Sequence, residues 1–599
     1  MSMPCGRSRT FLLQSVVFLV GTVLALGVAP VLAETPGGAG ATPAAGGTPA
    51  SGPVAPVAPC AVAELGSPYI PLDSWMYTSL TRLYSLGYLD YAFLGLRPWT
   101  RASVIHMLED TNARMEDAPA NATTDEAQEL YDKLWHELNI DAEGPCFRNR
   151  GQVRIESAYD VARGITGTPL RDSYHIGETI TNDYGRPYEG GFNSYSGVSG
   201  YATAGIFTLY ARGEFEYAPS ATGYSQALFD QLSKLDVIPV ATNPEQPTIP
   251  LGPIGTATNM RLMEGYLSAH VIGHDISFGK SDAWMGPGQG GAYAYTNNAE
   301  DIYSFRIDRA EPLRVPGLSR ITGPFRYEFM VGSLKGHTDW NDPWVHAEKI
   351  SFKPTPNLEI GFERTVIWGG KGHVPITIHS FLKSFFSFQN VSDAEKRSRN
   401  DPGARFGAFD LSYRLPYLEH WLTFLVDSEA HDDVSPISAP RRADFRTGLY
   451  LSHVPAAPKL DLRVEAVMDD QSTTRSSGGE FTYYEGEQPQ GYTNAGQIFG
   501  DWMGREAKGG QAWATWHLSG NEWIQFSWRR QKNAKDFIAG GTTLDDYSAQ
   551  VVKRLGHDLE VKGNFTYENY LAPIYLTNKQ TVTNTSFQLT WYPTRKISF

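Results

Sequence analysis

The stretch Gly286-Pro-Gly-Gln-Gly-Gly291 has the spacing G-x-G-x-x-G, which in a dinucleotide-binding unit lets backbone amides approach a pyrophosphate. That use requires a buried parallel strand before it and a helix after it. Neither pattern flanks it, so a tight loop in which backbone approaches backbone is the expectation. His270 and His274 are four apart, and on a helix they would share a face and chelate a metal. Their segment instead alternates as a strand, where four residues span about 13 Å, too far for one ion. The acidic pairs Asp432-Asp433, Asp469-Asp470 and Asp545-Asp546 offer oxygen ligands for calcium, with solvated loop charge as the plainer expectation. No Gly-x-Ser-x-Gly elbow and no His-Glu-x-x-His helix is present. The expectation is a protein without catalytic activity, cofactor or metal.

Sugar recognition is chemistry for which the chain does hold residues. Sugars offer C–H faces that stack on aromatic rings, and hydroxyls that pair with carboxylates, amides and guanidinium groups. The segments Thr482-Tyr-Tyr-Glu-Gly-Glu487 and Gly491-Tyr-Thr-Asn494 mix rings with such groups. An interfacial aromatic belt with ordinary loops is the competing account of the same residues.

The elements that would position these groups change character along the chain. Arg7 and Arg9 precede an apolar run from Phe11 to Val28, and Val31-Leu32-Ala33 then Glu34 make a small-residue exit, so residues 1–33 read as a secretory signal peptide. Residues 34–63 are rich in Ala, Gly, Pro, Thr and Val and bury too little to offset chain entropy, the composition of a flexible tether. Residues 64–147 carry three helical patterns. Asp73 or Ser74 caps the first, Leu80, Leu83 and Leu86 line its inner face, and Gly87 ends it. Thr100 caps the second, with Val104, Met107 and Leu108 as its stripe, and Leu130, Leu134 and Leu138 mark a third over 125–138. Cys60 and Cys146 bracket this segment and, in an oxidising compartment, are expected to close it as a disulfide.

From residue 148 to 599 the period is two. Val153 and Ile155 alternate with Arg154 and Glu156, and Phe207, Leu209, Phe215 and Tyr217 with Thr208, Arg212, Glu214 and Glu216. At the end of the chain Phe587, Leu589, Trp591, Ile597 and Phe599 share one parity, reading as a single strand with one lipid-like face. Aromatics at 12%, 59 Gly and 19% charge fit many short strands. Roughly 450 residues at about 25 per strand plus connection give about 16 to 20 strands. The fold class is therefore mainly β, a large antiparallel transmembrane barrel with a small N-terminal helical module. The segment 469–499 reads as an exposed outer loop. A net charge of -14 excludes general nucleic-acid binding.

In order along the chain, Pro71-Leu72-Asp73, Leu86-Gly87, Arg97-Pro98-Trp99-Thr100-Arg101, Trp284, Gly286-Pro287-Gly288, Asn297-Asn298-Ala299, Arg364, Ile367-Trp368-Gly369-Gly370, Asp410 and Tyr413-Arg414-Leu415-Pro416 resemble the Wzi family of capsule assembly proteins. The resemblance implies a monomeric outer-membrane barrel of about eighteen strands, an even count that puts the helical module in the periplasm. It also implies a surface lectin that attaches or organises capsular polysaccharide. Trp284, Arg364, Trp368 and Lys371 lie in the family-like blocks and are the residues it offers as ligand contacts. Two alternatives stay open: a porin or solute channel, and a barrel tethered to peptidoglycan through its helical module. Its partners are thus a surface polysaccharide, outer-membrane lipid and, in the last reading, peptidoglycan.

Overall fold

The computed structural model describes residues 65–118, 122–142, 151–238, 246–388, 391–418, 420–431, 437, 440–471 and 481–598. Cys60, Cys146, the signal and tether segments, Asp432-Asp433 and Phe599 lie outside the described residues.

Eighteen antiparallel strands close on themselves. In chain order they are β1 (Gly151–Thr166), β2 (Gly191–Ala204), β3 (Phe207–Ala218), β4 (Ala257–Val271), β5 (His274–Lys280), β6 (Tyr303–Asp308), β7 (Phe325–Ser333), β8 (Trp344–Thr355) and β9 (Leu358–Trp368). They continue as β10 (Ala404–Arg414), β11 (Leu422–His431), β12 (Asp444–Leu451), β13 (Leu460–Met468), β14 (Ala507–Ser519), β15 (Glu522–Asn533), β16 (Thr543–Leu555), β17 (Leu559–Ala572) and β18 (Leu576–Trp591). Each strand pairs with the next, and β1 pairs with β2 on one side and β18 on the other, so no edge is left open. The expected single terminal strand is interrupted: Pro593, which has no N–H to give the ladder, lies in a break after Trp591, and Lys596–Ser598 resumes the pairing with β1. Parity survives the break, because Phe587, Leu589, Trp591 and Ile597 are all exposed on the outer wall.

The alternation is that of a membrane barrel. Ile155, Leu209, Phe215, Leu267, Phe278, Val464, Phe526, Val551 and Phe565 are exposed on the outside, while Arg154, Glu156, Arg212, Glu214, Glu465 and Arg529 are buried within. Connections alternate between two ends. One end carries the helical module, connection 309–324 and otherwise short turns. The other, here the loop end, carries the long connections 167–190, 219–256, 281–302, 369–403 and 469–506.

The module consists of α1 (Met76–Ser85), α2 (Arg101–Asp117) and α3 (Ala122–Ala142). Thr100 caps α2 as expected, accepting from Ser103 N at 3.1 Å. Of the two residues expected at the start of α1, Asp73 is drawn to Arg212 of the barrel wall at 2.6 Å, while Ser74 Oγ accepts from Met76 N at 3.3 Å. The N-cap position itself is Trp75, which makes no side-chain cap bond. Leu80, Leu83, Leu86, Val104, Met107, Leu108, Leu130, Leu134 and Leu138 form one core with Leu425, Trp523 and Val552 from the wall. The module is therefore seated within the barrel's mouth.

Candidate functional site at the loop end

Two plugs meet inside the barrel. From the module end, the strap 88–100 enters and is gripped by wall side chains. Lys353 Nζ donates to the carbonyls of Asp90 and Ala92 at 2.8 and 2.7 Å, Arg414 donates to the Asp90 carboxylate at 2.6 Å, and Glu359 accepts from Leu94 N and Gly95 N at 2.7 and 3.0 Å. From the loop end, connection 281–302 folds inward. Arg97 donates to the carbonyls of Gly286 and Gly288 at 3.0 and 2.8 Å, and its guanidinium lies 5.0 Å from the centre of the Trp284 ring. A cavity of about 230 Å³ is left between the module and the wall, lined by Asp73, Trp75, Trp284, Arg463, Trp523 and Gln525 among others.

The glycine-rich stretch serves this plug. A Cβ on Gly288 would strike the Gly291 carbonyl, the close backbone approach expected of that spacing. The histidine pair departs from expectation. Ile272 and Gly273 make a tight turn, so His270 and His274 sit on adjacent strands, the first facing Asp275 at 3.2 Å and the second bonded to Tyr327 at 2.5 Å. Among the described residues no group of three or more His, Cys, Asp or Glu is arranged to hold a metal. Of the acid pairs that are described, Asp469 and Asp470 are buried and Asp546 lies against Arg529 inside the barrel, while Asp545 is partly exposed beside Arg530.

The described part of connection 469–506, residues 469–471 and 481–506, also reverses its expected place. Tyr483, Tyr492, Ile498, Phe499 and Trp502 are buried in the apolar cluster that fills the barrel at this end. The rings of 482–487 and 491–494 therefore do not face solvent. Charge locks them down. Arg446 of β12 donates to Asp501 at 2.6 and 2.8 Å and to Glu465 at 2.7 Å. Nearer the rim, Asp236, which caps the C-terminus of α4 (Gln226–Leu235), meets His175 Nε2 at 2.9 Å and accepts from Arg505 at 2.7 Å, while Asp172 holds His175 Nδ1 at 2.9 Å. One fully buried network thus ties three connections. Burial opposes charge on His175, but the two flanking carboxylates prevail and push its pKa up to about 9.

The four residues offered by the resemblance go to different places. Trp284 is inside, under Arg97. Arg364 and Trp368 point outward from β9 and are covered by α5 (Ile378–Phe385): Arg364 donates to the carbonyls of Ser384 and Phe385 at 2.8 and 2.6 Å, and the Trp368 ring packs at 5.8 Å from Phe381. Lys371 alone is on the open face. Its ammonium pairs with Asp342 and its N–H donates to the Asn341 carbonyl at 2.7 Å.

Around Lys371 the connections 334–343 and 369–403 build a group that sequence reading passed over. Trp340 is half-buried, its ring stacked on His373 at 5.1 Å and 11°, and His373 in turn contacts Asp401 at 2.9 Å. Asp339, Asn341, Asp342 and Lys371 surround it, the last three exposed. Thr338 N and Asp339 N donate to Gln490 Oε1 at 2.6 and 3.2 Å, which anchors the loop to the buried connection below. Gly370 is at φ +127°, and a Cβ there would stand 2.8 Å from that of Trp340. A ring held from beneath, with carboxylate, amide and ammonium groups at its edge, can stack on a sugar and pair with its hydroxyls.

A closed eighteen-stranded barrel with an apolar outer belt and a filled interior has the architecture of an outer-membrane barrel. The family described as capsule assembly protein Wzi matches residues 161–585, and the chain belongs to that family. A solved relative, described as Wzi, an outer-membrane protein involved in group 1 capsule assembly in Escherichia coli and a carbohydrate-binding β-barrel, superposes with a TM-score of 0.61 at 15% identity, over 87% of this chain and 98% of that one. An uncharacterised 55.8 kDa protein of the cps region of Klebsiella pneumoniae is 26% identical over 147 residues. That match spans 24% of this chain and 28% of the Klebsiella protein.

Proposed function

We propose that this chain is a surface lectin of the outer membrane, which holds capsular or related polysaccharide at its loop end while the helical module stands in the periplasm. The observation that carries the reading is Trp340, a braced and half-open ring among Asp339, Asn341, Asp342 and Lys371. Membership of the Wzi family and the carbohydrate-binding description of the Escherichia coli relative support the ligand class. Lys371 and Asp342 select hydroxyls or a sugar carboxylate, and Trp284, Arg364 and Trp368 act by building the frame. In titrations of the purified barrel against a panel of capsular polysaccharides, Trp340→Ala is expected to weaken the bound glycan about tenfold or more, the loss of one stacked ring. Equal binding by wild type and Trp340→Ala would overturn the assignment.

A solute channel needs an open lumen, and the interlocked plugs described above argue against one. In planar bilayers the wild-type protein is expected to stay near baseline, and stable open steps would revive the channel reading.

A further inference from the structure

The outer wall at β8 and β9 breaks the apolar belt. Ile350 and Phe362, paired across the two strands, are exposed. The next outward rungs toward the loop end are Glu348 with Arg364, His346 with Val366, and Trp344 with Trp368. His346, Val366 and Trp368 point away from the lumen yet are buried.

Segment 380–388 covers them. Phe381 and Phe385 each lie 6.1 Å from Phe329 of β7, and His346 Nε2 is 2.8 Å from Ser384 Oγ. Arg364 satisfies three carbonyls at the end of α5, those of Ser384, Phe385 and Ser387, and its guanidinium stands 4.9 Å from the Phe388 ring. What the segment leaves uncovered is apolar: Leu382 is 38% exposed, Phe386 64%, and Phe388, beside the guanidinium, 58%. Arg364 is two residues beyond Phe362, about 7 Å along the strand, so this uncovered surface adjoins the belt directly.

We propose that Leu382, Phe386 and Phe388 are a lipid contact, with segment 380–388 lying in the leaflet boundary at the loop end as an interfacial amphipathic element. Continuity with the belt selects lipid over water or a protein partner. Lys383, paired with Glu395 at 2.8 Å, sits among these apolar residues as interfacial elements favour. Arg364 and Trp368 are then positioning residues that fix the element to the wall.

The test uses the full chain in phosphatidylcholine vesicles carrying doxyl-labelled phosphatidylcholine. A bimane fluorophore is placed at Phe386→Cys, at Phe388→Cys and, as a water-facing reference, at Lys371→Cys, with the unsubstituted protein labelled in parallel to subtract its own thiols. Labels at 386 and 388 are expected to emit to the blue of the reference, to be quenched at least twofold more by shallow doxyl lipid, and to be quenched less by iodide. Quenching at both positions that matches the reference would overturn the proposal. In Arg364→Gln, barrel folding is checked by heat-modifiable migration on gels, and lipid quenching at 386 is expected to fall toward the reference. Unchanged quenching in that variant would remove Arg364 from its positioning role.

Discussion

Asp236→Ala is expected to unfasten the loop end while leaving the barrel closed. The carboxylate is fully buried and accepts from Arg505 at 2.7 Å and Gln246 at 2.8 Å while facing His175 at 2.9 Å. Removing it takes from buried Arg505 a carboxylate partner and leaves His175 with Asp172 alone, and breaking a buried pair costs about 3–5 kcal/mol. Connections 167–190, 219–256 and 469–506 would lose their shared anchor together. Amide exchange in 172–176 and 226–236 should accelerate by roughly a hundredfold or more, since about 1.4 kcal/mol corresponds to a factor of ten. Protection within about tenfold of wild type would show that packing alone holds the rim.

The same network makes closure depend on pH, with a definite sign. His175 is raised from 6.5 to about 9 in the folded chain, the buried ring being charged by Asp172 and Asp236. Its contribution is whole below pH 6.5, where folded and unfolded rings are both protonated. It is lost as pH rises through about 9. Asp236 moves the other way: burial opposes its charge, but His175 and Arg505 overcome that and lower its pKa, so its contribution fails only in acid. Cleavage of connection 469–506 by an alkali-tolerant protease should therefore speed up between pH 7 and 10. In His175→Gln the step should vanish, and a step of unchanged size there would assign the pH dependence to another group.

The barrel was legible because lipid outside and charge inside impose a period of two, and Phe587, Leu589 and Trp591 show it without help from distant residues. The helices were legible through Leu130, Leu134 and Leu138, and Thr100 as a cap is a local property of four residues. The loops were not. Thr482 to Glu485 has the composition of an exposed binding loop, and what buries it is Arg446 reaching Asp501 and Gln490 reaching Thr338, partners that only closure of the sheet brings near. Sequence alone does not choose between Asp73 and Ser74 as the cap for the same reason, the partner of Asp73, Arg212, lying far along the chain.

The proposed binding face is partly legible in the sequence. Lys371, offered by the resemblance, is on the open rim; Trp340 lies outside the family-like blocks, although Asp339-Trp-Asn-Asp342 carries the same mixture of ring, amide and carboxylate as 482–487. Arg364 and Trp368 share the parity of exposed Phe362, which marks them as outward. The missing signal lay further on, where Phe381 with Phe385 and Leu382 with Phe386 repeat at four residues and announce an amphipathic turn that covers them.

Gly95→Val is expected to be the most damaging single change in the strap. A Cβ at this position would overlap Asp410 Oδ1 and stand 3.0 Å from Glu359 Oε1. Asp410 cannot swing aside freely, because Lys349 Nζ holds its other oxygen at 2.6 Å, and Glu359 is already bonded to Leu94 N and Gly95 N. Overpacking a filled site costs about 1–3 kcal/mol. Displacing the strap also breaks two hydrogen bonds to a buried carboxylate, each worth about 1.5–3 kcal/mol. Leu94, which packs in the module core, and Leu96, which packs in the cluster at the loop end, would move with it, so the seat of the module should fail as a unit. The barrel has its own closed ladder and should persist, seen as heat-modifiable migration, while tryptic cleavage within 64–147 accelerates by about a hundredfold or more. Gly563→Ala, where a Cβ meets nothing within 4 Å, is the matched control and should leave both readouts unchanged. If Gly95→Val cleaves no faster than that control, the lumen side chains yield to the strap, and the module is held by its helical core alone.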